Sequence, residues 1–324
     1  MKLFINQFGE LRGGWAAALA LIALYAAQLA AGIALGVFAP FYLFTAEGGA
    51  TEEAVLAFLE RPGIQLLGQG AAILLTVAAA LLLFRLLYRR PAAHMGLTGP
   101  RSPYAMKDFL AGCGLGAAAI SAVVGLLLLT GNGQAIGARF EALADPLFWS
   151  WLVLFAGVAV SEELFSRGLL MTVLKTTRSR AVILLVPAAI FAFLHAANPG
   201  FGWLPALNLF LIGLAFAVMF IRTGQLWLPI GFHLAWNFFQ GNVWGMQVSG
   251  LETPSVAETY FTGPALITGG GFGAEGGVMT TFITSVLIML LWFALPERED
   301  ARWSLASDLP LVHRDRKIKP EQED

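Results

Sequence analysis

The sequence predicts an all-α membrane protein, a polytopic helical bundle of about eight transmembrane helices. Two observations carry this. The 324-residue chain is 57% hydrophobic and only 13% charged, with a mean hydropathy of +0.72; a typical soluble domain carries about 25% charged residues. The charges that remain also alternate in sign from one connection to the next.

Apolar windows lie near 15–44, 64–88, 108–130, 147–172, 181–197, 204–222, 226–245 and 277–295. Each approaches the roughly 20 residues that cross a bilayer as a helix. The first follows Lys2 and Arg12 and is too long for a signal-peptide core, so it reads as an uncleaved span. The fifth and seventh are short or interrupted. These windows divide the chain into three N-terminal spans (1–145), a four-span core (146–245), an outer loop with the last span (246–296) and a polar tail (297–324).

Arg85, Arg89, Arg90, Arg101 and Lys107 crowd the second connection; Lys175, Arg178 and Arg180 the fourth; Arg222 the sixth. The alternate connections hold only Arg61 and Arg139, among Glu47, Glu52, Glu53, Glu60, Glu141, Asp145, Glu252, Glu258 and Glu275. The positive-inside rule therefore puts both termini in the cytoplasm, and the expected location is a bacterial inner membrane. A net charge of −1 gives no field for nucleic acid.

Smaller features read as packing. Gly32 and Gly36, and Gly112 and Gly116, are small-xxx-small pairs that let helices approach. The lone Cys113 reads as a small packing residue. Glu52–Glu60 reads as a short amphipathic surface helix. Gly269–Gly277 reads as a flexible loop, because no Gly-Lys-Ser/Thr follows to make a phosphate cradle. The tail after Pro296 reads as poorly ordered, and His94 and His313 as solvated.

Strongly polar residues inside the spans cluster late in the chain: Glu162, Glu163 and Arg167, then His195, Asn208, His233, Asn237 and Gln240. Charges at bilayer depth cost roughly 2.5–3.5 kcal/mol each on insertion scales. Residues four apart share a helix face. Glu163 therefore reaches Arg167 and is neutralised by it, while Glu162 is left free to face a cavity. Phe191 walls one side of His195 by the same spacing, and His233 and Asn237 present two polar tips on one face. At about 1.5 Å rise per residue, Glu162 lies about 15–22 Å from either end of its span, near mid-membrane, and the histidines overlap that depth. Asn208 and Gln240 read as interhelical polar glue. No serine-protease arrangement surrounds Ser166.

Two chemistries fit this set. In the first, a glutamate takes a proton from water that a histidine positions, while a second histidine and an asparagine amide donate to the oxyanion. In the second, a divalent metal such as zinc is held by Glu162, His195 and His233 and activates the water directly. No His-Glu-x-x-His is present to favour the second.

Glu-Glu-x-x-x-Arg at 162–167, Phe-x-x-x-His at 191–195 and His-x-x-x-Asn at 233–237 occur in that order. Together they resemble the CPBP group of CAAX-processing and bacteriocin-processing intramembrane proteases, which includes the type II CAAX prenyl endopeptidases. The resemblance covers roughly 145–245. It implies that Glu162 and His195 activate water and that His233 and Asn237 stabilise the oxyanion, supported by Glu163, Arg167 and Phe191. The expected function is hydrolysis of peptide bonds in membrane-associated or lipidated proteins or peptides. The rival readings are a proton-coupled transporter, which the lack of an internal repeat disfavours, and a non-catalytic scaffold or immunity protein.

Overall fold

The computed structural model describes residues 3–6, 9–46, 48–99, 102–298, 303–305 and 311. His313 lies outside them. Each apolar window is a helix: α1 (Gly13–Ala46), α3 (Pro62–Tyr88), α4 (Ala105–Leu129), α5 (Pro146–Glu163), α7 (Arg180–Leu194), α8 (Trp203–Thr223), α9 (Trp227–Phe238) and α11 (Val278–Ala294). Glu52–Leu59 forms the expected short helix, α2, capped by the Thr51 side chain. Two further helices have four residues each, α6 (Met171–Leu174) and α10 (Ala265–Thr268). Five described helices are long and apolar enough to cross a membrane: α1, α3, α4, α8 and the run from Pro146 to Thr177. α7 and α11 are apolar but shorter, and α9 gains length only from a π-helical segment, Phe239–Val243. The chain is a multi-pass helical membrane protein.

Local signals set the helix ends. Asp145 caps α5, accepting from the Leu147 amide at 2.8 Å, and Pro146 opens the first turn. Ser179 caps α7 through the Val182 amide at 3.3 Å. α5 does not end in a loop. It widens into a π-helical segment, Leu164–Leu170, and resumes as α6. Spacing alone gives no hint of this turn, yet the Glu-Glu-x-x-x-Arg motif runs into it, with the glutamates at the end of α5 and Arg167 within the π-helical segment.

The glycine pairs separate. Gly112 and Gly116 lie against α9: a Cβ added at Gly112 would sit 2.2 Å from the Leu228 carbonyl oxygen, and one at Gly116 would sit 2.3 Å from that of Phe232. Gly231 returns the contact, its Cβ position 2.1 Å from the Phe109 carbonyl oxygen. Backbones this close fix the axial position and rotation of α9. Gly32 and Gly36 are exposed, with nothing within 4 Å. The packing expected of them is absent because that face of α1 has no neighbouring helix among the described residues.

Three other details depart from expectation. The bundle is all-α as expected, and the sequence reading did not foresee one small addition to it, a two-stranded antiparallel ribbon between β1 (Gln134–Ala138) and β2 (Ala257–Tyr260). β1 is fully exposed, so it shows no alternation of apolar and polar residues. His94 is half-buried rather than solvated, in a short turn after α3. The tail is partly seated. Arg298 forms a bidentate pair with Asp108 of α4, both contacts at 2.6 Å. Trp303 is 1% exposed, donates to Thr172 Oγ1 at 2.8 Å and packs on Phe220 with ring centroids 4.4 Å apart. Apolar burial outweighs the polar composition of its neighbours here. Trp303→Ala is expected to cost about 3–5 kcal/mol of stability, as large-to-small core changes do; an unfolding titration in mixed micelles measures it.

Candidate active site

Glu162 and Glu163 are the last residues of α5, at the lip of the π-helical segment. Glu163 is fully buried, and its Oε1 is shared. Arg167 Nη1 donates to it at 3.0 Å, and His233 Nδ1 lies at 3.0 Å. Arg167 is otherwise consumed: Nη2 donates to the Gly213 carbonyl at 3.1 Å, and the guanidinium sits 4.6 Å from the Phe191 ring centre and 4.8 Å from that of Phe216. This cation–π enclosure replaces water around the charge. The sequence anticipates the pairing of Glu163 with Arg167. It does not anticipate that Glu163 also orients His233. With an ionised Glu163 accepting, Nδ1 carries a proton and Nε2 is left on the Glu162 side. Phe216 stacks on the imidazole at 5.1 Å and fixes its plane.

Glu162 differs from its neighbour. Its side chain is 34% exposed where that of Glu163 is fully buried; Oε2 of each lacks a hydrogen-bond partner among the described residues, but only that of Glu162 belongs to a residue lining the cavity described below. That oxygen lies 4.0 Å from His233 Nε2, too far for a direct hydrogen bond and close enough for one small group to touch both. His195 caps the end of α7. Its Nδ1 donates to the Phe191 carbonyl at 2.8 Å, which leaves Nε2 with the lone pair. The Phe191 ring lies 5.0 Å from the imidazole.

A cavity of about 260 Å³ is lined by Glu162, His195, His233, Asn237 and Phe191. Glu163 and Arg167 do not line it and stand behind His233. Glu162, His195 and His233 all line this cavity, and among the described residues no three His, Cys, Asp or Glu side chains are grouped closely enough to hold a metal as they stand.

Sequence reasoning missed one wall. Glu275 lines the cavity from the loop before α11 and is 3% exposed. Its Oε2 accepts from the Ser249 amide at 2.8 Å and the Ser249 hydroxyl at 2.9 Å. Asn208 Nδ2 holds the loop by donating to the Glu275 and Gly277 carbonyls at 2.7 and 2.9 Å, and Thr281 donates to its Oδ1 at 2.6 Å. Asn208 is polar glue, but toward a loop as well as a helix. Gln240 is similar, donating to the Gln247 carbonyl at 2.6 Å. The glycine-rich stretch is thus not a loose loop. Gly269 and Gly273 have φ of +91° and +88°, and a Cβ at either would lie under 2 Å from a carbonyl oxygen. Burial pushes the Glu275 carboxyl above its usual pKa, against the Ser249 donors that pull it down. The one signal available was an acid embedded among closely spaced glycines.

Residues 144–239, from the cap of α5 to just past the end of α9, match the family model described as Rce1-like, type II CAAX prenyl endopeptidase. No curated protein and no solved structure matches the chain significantly. The matched segment contains Glu162, Glu163, Arg167, Phe191, His195, His233 and Asn237, and leaves out Glu275. Over this segment the chain is similar to the Rce1-like type II CAAX prenyl endopeptidase family, a protease family of the kind its three motifs resemble.

Proposed function

We propose that the chain is an intramembrane endopeptidase that hydrolyses peptide bonds of membrane-associated or lipidated proteins or peptides, with Glu162 as the base. The observation that carries this is the unpartnered Oε2 of Glu162, 4.0 Å from a His233 nitrogen whose ring is already held by Glu163. Glu162 takes a proton from a water that also donates to His195 Nε2. The water oxygen bonds to the scissile carbonyl carbon, and the carbonyl electrons move to oxygen. His233, able to carry a second proton on Nε2, and the Asn237 amide donate to that oxyanion. The intermediate collapses by breaking the C–N bond, and the leaving amine takes the proton from Glu162. The charge pattern supports a cell-membrane location with both termini cytoplasmic.

The test is hydrolysis of a membrane-anchored peptide library by the full chain in nanodiscs, with and without a strong chelator. Cleavage that persists with chelator and disappears in Glu162→Gln is the expected result. No cleavage by the unsubstituted chain, or equal cleavage by Glu162→Gln, overturns the reading. Loss with chelator and recovery with zinc would move the chemistry to a metal.

A further inference from the structure

Two polar side chains in the cavity wall belong neither to the catalytic set nor to the segment 144–239. Gln28 of α1 and Gln69 of α3 line the cavity together with Glu162. Gln28 is the one amide-bearing or charged side chain in α1. A side-chain amide taken from water into apolar surroundings costs free energy unless it is hydrogen-bonded. In a membrane helix the ordinary partner is a neighbouring helix. Neither Gln28 nor Gln69 forms a side-chain hydrogen bond with a described residue. Gln28 is exposed and Gln69 half-buried, so both are open to a molecule in the cavity.

The two glutamines are part of continuous helix faces. Leu24 and Gln28, four apart on α1, both line the cavity, as do Gln69, Ile73 and Thr76 on α3. Their offset follows from the packing of the two helices. A Cβ at Gly68 of α3 would lie 2.9 Å from Leu35 Cδ2 of α1, so these residues are level. Gln69 follows Gly68, and Gln28 is seven residues from Leu35. At about 1.5 Å per residue, on successive spans that run oppositely, the two amides are offset by about 9 Å along the bundle. An extended chain advances about 3.3 Å per residue, so the offset matches about three residues. The main chain of such a segment offers donors and acceptors in alternation. A glutamine amide answers either, with two N–H donors and a carbonyl acceptor. An acyl chain offers neither.

We infer that Gln28 and Gln69 form a substrate subsite that binds the main chain of an extended segment about three residues long, leading away from the bond cleaved at Glu162. The subsite selects an unfolded stretch of polypeptide and tolerates varied side chains along it. The inference rests on the endopeptidase reading for the identity of the site, but its test reads binding and not cleavage.

The probes are S-farnesyl-Cys-Val-Leu-Ser and the same peptide with its Val, Leu and Ser amides N-methylated, which removes the main-chain donors. Binding is measured to the full-length Glu162→Gln chain in nanodiscs, with protein-free nanodiscs subtracted. A neutral hydrogen bond contributes about three- to tenfold in affinity. Adding Gln28→Met or Gln69→Met is expected to weaken the parent peptide by about that factor, and adding both by about tenfold or more. The N-methylated peptide should lose about threefold at most from the double change. Gln65→Met, on α3 but outside the cavity lining, is the control and should change neither. Thermal unfolding of the glutamine variants should match that of the parent chain, because no bond within the protein is lost; Gln28→Ala and Gln69→Ala repeat the test if a methionine variant folds poorly. Parent binding indifferent to both glutamines, an equal loss for the two peptides, or no binding of the parent peptide overturns the inference. Glutamine-dependent binding without hydrolysis by the unsubstituted chain would leave the subsite standing and remove the endopeptidase reading. Glu162-dependent cleavage of the library with binding indifferent to the glutamines would do the reverse.

Discussion

Glu162→Gln is expected to lower hydrolysis by roughly 10²–10⁴-fold while leaving the fold intact, and Glu163→Gln to unfold the core that surrounds it. A positioned general base contributes about that factor. Glu162 Oε2 has no partner to lose, and its side chain is partly exposed, so a neutral isostere costs little stability. Glu163 answers both Arg167 and His233 through one oxygen in a fully buried setting. Removing its charge leaves a buried guanidinium uncompensated, which costs about 3–5 kcal/mol. Thermal unfolding of the two variants in nanodiscs beside their cleavage rates separates the effects. Equal stability of the two would mean that Arg167 draws its compensation from elsewhere, and the division of labour between the carboxylates would fall.

Gly116→Leu should be nearly as damaging to activity, although Gly116 is not among the residues lining the cavity. Its Cβ would stand 2.3 Å from the Phe232 carbonyl oxygen, where ordinary contact begins at 3.4 Å. The α4 and α9 backbones must part by about 1 Å, and a misplacement of that size can cost about 10²-fold in rate. His233 follows Phe232 in the chain, so the displacement passes directly to the imidazole. Overpacking adds a stability cost of about 1–3 kcal/mol. Gly36→Leu is the matched control. Nothing lies within 4 Å of its Cβ position, and both activity and unfolding should stay unchanged. If the two glycines behave alike, the close approach of α4 and α9 does not position the site.

These two pairs also show what the sequence could reveal. Gly32-xxx-Gly36 and Gly112-xxx-Gly116 carry the same pattern, and only the presence of a partner helix distinguishes them. Helix positions were legible because twenty apolar residues have few other uses. The Glu163–Arg167 pair was legible because both lie on one helix. The Glu163–His233 contact was not, since it joins residues 70 apart through tertiary packing. Glu275 escaped for a related reason: it enters from a loop whose glycines announce flexibility in sequence and close packing in space. Trp303 and the β1–β2 ribbon are likewise the work of distant partners that local composition does not encode.

The π-helical segment Leu164–Leu170 lies between two things that must each be aimed. Upstream are the carboxylates. Downstream is Thr172, which meets Trp303 of the tail. A π-turn holds one residue more than a regular helix requires, and each residue turns a helix by about 100°. The extra residue therefore acts as an angular offset between the catalytic end of the helix and its anchored end. A shortened helix would be more regular and better hydrogen-bonded. It would also present either the carboxylates or the anchor to the wrong side of the bundle.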